Sequence, residues 1–323
     1  MTILLSIIAA VVPTIIYLLV LWQLDRYEKE PLVLFLAAFV WGAVPAVIAS
    51  LILEVIGEYS MVAMPPLGRQ LVGAGLVAPI VEEASKSAAL LVLYWVFRHE
   101  FDGVLDGIIY GAVVGFGFAM TENVFYFESA WAEQGVKGFL MLVLMRAGVF
   151  GLNHAMFTGI AGAGIGLARL QHSRLTCVVL ILLGFGGAVV AHMAHNILVA
   201  AQQACLLGTA ADWGGVVALF VMIVLMWKHE RNIIKTYLAD EVGISLSAEQ
   251  YAALAAFRPT RPAGLPTDDQ TRARWQAWHQ LSLAATELAF KKHQRDTTSD
   301  GERNEARIAE LRRQINEYNR VLS

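Results

Sequence analysis

From Ile3 to Leu24 the chain runs 22 residues without a charged side chain. As a helix rising 1.5 Å per residue, such a run crosses the roughly 30 Å hydrocarbon core of a bilayer. Six more apolar segments follow, at 32–56, 70–97, 104–127, 150–169, 176–205 and 213–227. Charged or Pro/Gly-rich stretches divide them, such as DRYEKEP at 25–31 and MPPLGR at 64–69. This pattern predicts an all-α, polytopic transmembrane helix bundle of about seven spans. Residues 138–149 are apolar but few, and they carry Arg146; they read as an interfacial or re-entrant piece. The first segment has no basic residue before it and no small-residue cleavage site after it, so it is expected to stay as an anchor.

Charge separates the two ends of the chain. Residues 1–228 hold 10 Lys+Arg and 14 Asp+Glu, and the last 95 residues hold 14 and 13. Charged residues make up 16% of the whole, against about 25% in soluble domains. The expected domains are a transmembrane one at 1–228 and a small soluble helical tail at 229–323. A net charge of −3 without a basic run excludes a nucleic-acid partner. Cys177 and Cys205 lie near opposite ends of one apolar segment, about 42 Å apart if helical, so no disulfide framework exists. Positive charge follows the odd-numbered spans at Arg26, Lys29, Arg98, Arg169, Arg174, Lys228, Arg231 and Lys235, and the even-numbered ones only at Arg69 and Lys137. That bias expects a multi-pass protein of the cell's inner or plasma membrane, N-terminus outside and tail in the cytoplasm.

Several residues are costly inside a bilayer. Glu82, Glu83 and Lys86 share one span; Glu122 and Asn123 lie in a second, His154 in a third, and His192, His195 and Asn196 in a fourth. An ionisable group at the bilayer centre costs about 2.5–3.5 kcal/mol on the lenient scale, so such groups are functional candidates. Lys86 stands at i+4 from Glu82 and i+3 from Glu83 and can neutralise either. A structural ion pair is the plain reading, but two carboxylates against one cation leave a spare, suited to a general base. His192 and Asn196 share a helix face. A lone transmembrane histidine is most often an interhelical hydrogen-bonder, and His195 reads as packing. From the outer ends, Glu82 lies about 18 Å deep, Glu122 about 8 Å, His154 about 6 Å, His192 about 20 Å and Asn196 about 14 Å. Four helices thus carry polar groups at overlapping depths, as one site would require. Small residues recur beside them, at Gly103, Gly107, Gly111, Gly115 and Ala119, then at Thr158, Gly162 and Gly166, and let backbones approach.

Glu-Glu-x-x-Lys at 82–86, DGIIYGAVVGFGFAMTENVFYF at 106–127, His154 in NHAMFTG, and His192-x-x-x-Asn196 resemble the PrsW family of intramembrane proteases, distantly similar to the CAAX prenyl-proteases and their bacterial CPBP relatives. The resemblance covers about residues 70–200. It implies an endopeptidase, a hydrolase that cuts a membrane-anchored protein near the extracytoplasmic half of the bilayer. Members of the family are associated with site-1 cleavage of anti-sigma factors. Carried over by position, Glu82, Glu83, Glu122, His154, His192 and Asn196 are catalytic candidates, with Lys86 and Asn123 supporting and His195 off the pattern.

Peptide hydrolysis needs an activated water, a stabilised oxyanion and a proton for the leaving amine. Glu82 is the expected base, tuned by Glu83 and Lys86, with Asn196 and a histidine as oxyanion donors. The alternative is a catalytic Zn²⁺ held by His154, His192 and a carboxylate such as Glu122. No H-E-x-x-H is present, and glutamate-based, metal-free catalysis is slightly preferred. Rivals from other classes are an ion- or proton-coupled transporter or channel and a catalytically inactive scaffold. A path would extend to both faces, where the inner halves of the other spans offer few titratable groups beyond Asp106.

In the tail, Ser247 and Gln250 fit a capping box opening a short helix to about Phe257, and PTRPAGLPTDDQ at 259–270 reads as a linker. Trp278, Leu281, Ala285 and Leu288, then Ile308, Leu311, Ile315, Tyr318 and Leu322, suggest a helical hairpin. It either packs on itself or serves as an arm for a partner or for self-association.

Overall fold

The computed structural model describes residues 2–25, 29–98, 100–201, 204–256, 268–297 and 301–322. Among these the chain is helical, with one isolated bridge, Val242 to Leu246, in place of any strand. Two compact units divide it, Met1–Asp25 with Lys29–Ile223, and Val224–Ser323.

In the first unit each apolar segment of the sequence is a helical rod. These are α1 (Thr2–Leu24), α2 (Leu32–Trp41) running into α3 (Val47–Ser60), α4 (Pro66–Val72) into α5 (Ala78–Val96), α6 (Val104–Val143), α7 (Asn153–Arg169), α8 (Arg174–Ala200) and α9 (Cys205–Leu238). Five stretches are long and apolar enough to cross a membrane: Thr2–Leu24, Leu32–Ser60, Val104–Arg169, Arg174–Ala200 and Cys205–Glu241. The rod bearing Glu82, Glu83 and Lys86 is not among the five. Joints between rods are π-helical at Gly42–Ala46, Gly73–Val77 and Leu144–Val149. Pro45 sits in the first of these, where its missing N–H interrupts the regular ladder.

Glycine sets the tightest contact. Gly107, Gly111 and Gly115 of α6 meet Gly162, Thr158 and His154 of α7, and a Cβ at any of the three would overlap the facing carbonyl. Backbones this close gain dispersion contacts, which hold helices together where lipid offers no hydrophobic drive. The small-residue stripes of the sequence are therefore one interface.

One boundary differs from expectation. The stretch 128–137, left between the apolar segments 104–127 and 138–149, is helical to Gln134, breaks at Gly135 with φ 65°, and the helix resumes to Val143. The Ala, Glu and Gln residues there end an apolar run without ending a helix. The short piece 138–149 is likewise helical, closing in the π turn that bears Arg146.

In the second unit the end of α9, α11 (Asp269–Thr297) and α12 (Gly301–Leu322) share a core of Ile233, Leu238, Leu281, Leu288, Ile308, Leu311 and Ile315. Trp278, Tyr318 and Leu322 pack against it, so both apolar stripes face inward. The helix α10 (Ala248–Ala255) opens on the expected capping box: the Gln250 N–H donates to Ser247 Oγ at 3.1 Å and the Ser247 N–H to Gln250 Oε1 at 2.7 Å. The linker expected at 259–270 lies outside the described residues as far as 267. Glu241 is fully buried and accepts from Lys292 (2.9 Å), Arg312 (2.6 Å) and Ser245 (2.7 Å).

Candidate active site

Glu82, Glu83 and Lys86 of α5 are all buried. Helical spacing places Lys86 Nζ between the carboxylates, donating to Glu82 Oε2 at 3.1 Å and Glu83 Oε1 at 2.7 Å. The ammonium also lies 4.0 Å from the centroid of the Phe118 ring and 3.1 Å from His154 Nδ1. The two glutamates are not equivalent. Glu83 also accepts from Thr158 Oγ1 at 3.0 Å and from His192 Nδ1 at 3.1 Å, so both its oxygens are engaged.

The two histidines come from α7 and α8, with ring centroids 5.2 Å apart. Each turns one nitrogen to a carboxylate: His154 Nε2 to Glu122 Oε2 at 2.9 Å, His192 Nδ1 to Glu83 Oε1 at 3.1 Å. An ionised carboxylate only accepts, so those nitrogens carry the hydrogens. The remaining nitrogens, His154 Nδ1 and His192 Nε2, lie 4.0 Å and 3.9 Å from Glu82 Oε2. Phe157 stacks on His192 at 4.6 Å and fixes its plane.

One donor atom each from Glu82, Glu83, His154 and His192 lies within 4.8 Å of all the others. Paired imidazoles backed by outer carboxylates are the arrangement by which proteins orient metal ligands. The Lys86 ammonium now lies among these donors; in type, two imidazoles and two carboxylates are a set that a divalent cation takes.

Glu122, expected as the carboxylate ligand, stands outside this set of four as the outer partner of His154. It also takes a 2.5 Å hydrogen bond from Arg146 Nη2, whose Nε donates to Asn123 Oδ1 at 2.7 Å. Arg146 stacks over Tyr126 at 3.8 Å. Asn196 is turned away from its expected role: its amide donates at 2.8 Å to the Ala74 carbonyl in the π turn before α5. His195 joins a second polar group with Asn153 and Asp212.

Arg146, Thr158, Asn153 and Asp212 were not singled out from the sequence as site residues. In the sequence Arg146 only marks the short apolar piece 138–149 as interfacial or re-entrant, and Thr158 belongs to the small-residue stripe. Asp212 did have a signal, as a lone carboxylate at the edge of the last apolar segment.

A family model described as PrsW family intramembrane metalloprotease matches residues 30–228. The chain is 30% identical over 228 residues to Protease PrsW of Geobacillus kaustophilus, covering 70% of this chain and 89% of that one. It is 29% identical over 180 residues to Protease PrsW of Bacillus subtilis, covering 53% and 75%. It is 31% identical over 120 residues to Protease PrsW of Clostridioides difficile, covering 37% and 49%. No solved structure matches.

Proposed function

The chain belongs to the PrsW family of intramembrane proteases, and from that premise we propose how its buried cluster hydrolyses a peptide bond. It is a multi-pass membrane endopeptidase, and its substrate is a membrane-embedded protein. The observation that carries the assignment is the gathering of two carboxylates and two imidazoles from three helices around one buried ammonium.

Glu83 is the anchor. With Lys86, His192 and Thr158 all donating to it, its charge is shared among three partners and it is the weaker base of the two. Glu82 accepts from Lys86 alone among the described residues. Its other oxygen is available to take the proton of an attacking water, the role of a general base. Lys86 neutralises the pair; its three hydrogens go to Glu82, Glu83 and His154, so what it lends to charge developing on the scissile carbonyl oxygen is the field of a fixed cation. A fixed cation in a dry site stabilises such charge strongly. That leaves Asn196 as a tie between α8 and the π turn before α5, which holds His192 in register. The leaving amine takes its proton back from Glu82.

The donor set supports a divalent cation held by His154, His192 and a carboxylate of the Glu82–Glu83 pair. When bound, such an ion supplies Lewis acidity and a water of lowered pKa. This reading replaces the metal-free preference taken from the sequence, because His154 Nδ1 and His192 Nε2 both converge on Glu82 Oε2 with their outer nitrogens already held; an ion there would replace the Lys86 ammonium beside His154 Nδ1.

The positive-charge bias supports an N-terminus outside, a cytoplasmic tail and cleavage in the extracytoplasmic half of the bilayer. The family association extends the proposal to site-1 cleavage of a membrane-bound regulator such as an anti-sigma factor. The tail would serve as its cytoplasmic partner-binding or self-association arm. The test sets purified wild type against Glu82→Gln on a panel of single-span substrates, with and without a chelator. Cleavage by the wild type alone supports the assignment, and equal cleavage by both removes it.

A further inference from the structure

A membrane-anchored substrate reaches a buried site sideways, through a seam between helices. Of the five apolar stretches, the one containing α9 is the least enclosed, 11% buried against 83% for Val104–Arg169. Within Cys205–Ile223 the buried positions are Gly208, Asp212 and Ile223. Leu206, Val217 and Val221 of the same helix face outward.

Asp212 is the anomaly on that helix. Its carboxylate, 3% exposed, accepts from Asn153 Nδ2 of α7 at 3.0 Å and lies 2.7 Å from His195 Nδ1 of α8. A carboxylate brings no hydrogen, so His195 Nδ1 donates, and the 3.0 Å contact between Asn153 and His195 joins two donors sharing one acceptor. Elsewhere α9 meets α7 through yielding groups, Gly215 against the Met156 side chain and Leu219 against Gly159. These part more readily than the interlocked backbones of α6 and α7.

The seam leads to the cluster. Asn153 precedes His154 in the chain, and His195 is one turn beyond His192. Phe157, stacked on His192 at 4.6 Å, is 6.0 Å from the His195 ring. Asp212 therefore ties α9 to the immediate neighbours of both catalytic histidines.

Resting on the protease reading, we propose that α9 is the substrate gate: one membrane-anchored substrate segment passes between α9 and the α7–α8 pair, and Asp212, His195 and Asn153 form the latch. A segment unwound for cleavage carries unpaired backbone N–H and C=O groups that lipid cannot satisfy. Asp212 matches the first, and the Asn153 and His195 donors match the second. Without a substrate the gate stays shut, because opening turns the Asp212 carboxylate toward lipid.

The test places spin labels at Val190→Cys on α8 and Val217→Cys on α9, both exposed, with Cys177 and Cys205 replaced by Ser. Asp212→Ala should lengthen the label distance in part of the population by roughly a helix diameter, ~10 Å. An unchanged distribution overturns the latch. A second arm locks the seam with Met156→Cys and Gly215→Cys, where a Cβ at Gly215 lies 3.5 Å from Met156 Cγ, within reach of a disulfide. The oxidised lock should lose at least about tenfold in cleavage of every panel substrate that the reduced form cuts, and regain it on reduction. Equal cleavage in both states overturns the gate. If neither wild type nor reduced lock cuts any substrate, the protease reading fails and the distance measurement alone decides the gate.

Discussion

Glu82 and Glu83 are neighbours in the chain, yet their surroundings differ in the number of donors each receives. That difference separates two substitutions of identical chemistry. Glu82→Gln should lower cleavage by about 10²–10⁴ and the unfolding temperature only modestly, because Lys86 keeps Glu83 as its counter-ion. Glu83→Gln should lower the unfolding temperature further, since it takes the shared buried carboxylate from Lys86, Thr158 and His192 together. Thermal scans of both variants in detergent check this, and equal shifts would contradict the assignment. The histidines divide the same way: His192→Ala should abolish cleavage, whereas His195→Ala, which touches Asp212 rather than Glu83, should lose much less. Metal content gives a further readout. One divalent ion per chain is expected in the purified protein, lost in His154→Ala and His192→Ala. In Glu122→Gln it should bind about 10–100-fold more weakly, as removal of an outer hydrogen-bond partner does. The glutamate pair, its lysine and both histidines were legible in the sequence, because each is too costly in a bilayer to be casual. Glu82 was already the expected base from the sequence, but the reason to prefer it was not legible, since Thr158 and His192 reach Glu83 from other helices.

Helices made of small residues behave differently from helices made of large ones, and α6 illustrates why. Gly115 touches no substrate, yet the carbonyl facing it belongs to His154. Gly115→Ala should push the α7 backbone outward and shift the imidazole. A displacement near 1 Å costs on the order of 10²-fold in rate, and overpacking costs about 1–3 kcal/mol in stability. Gly186→Ala is the matched control, since a Cβ there has open space around it, and should leave both rate and unfolding temperature unchanged. Cleavage rates and thermal scans of the two variants decide the matter. The stripe was readable as a stripe because its period of four is visible in the letters. Its partner was legible too, from Thr158, Gly162 and Gly166. The continuation of α6 to Gln134 was not, because hydropathy reports where lipid ends and says nothing about where backbone hydrogen bonding ends.

Taken whole, the molecule joins an apolar unit to a polar one, and each makes its own prediction. In the second unit Glu241 carries the buried charge that Lys292 and Arg312 require. Glu241→Ala takes the buried carboxylate from Lys292, 2% exposed, and leaves it only the exposed Asp240; it should cost up to about 3–5 kcal/mol, read as faster amide exchange in α11 and α12. Charge bias sets the expected orientation. Arg and Lys near the membrane are held on the cytoplasmic side during insertion. Eight of them follow odd-numbered spans and two follow even-numbered ones, Arg69 and Lys137. A fusion reporter at the C-terminus should therefore report cytoplasm. Glu133, exposed on the far part of α6, provides the opposite check. A cysteine there, with Cys177 and Cys205 replaced by Ser, should react with a membrane-impermeant maleimide on intact cells. The helical state of 128–134 does not weaken the test, because an exposed helical cysteine is as open to the reagent as one in a loop. Reaction only after permeabilisation would invert the topology and move the proposed cleavage to the cytoplasmic half of the bilayer. The Glu82–His192 chemistry would stand unchanged, since its distances depend on neither face.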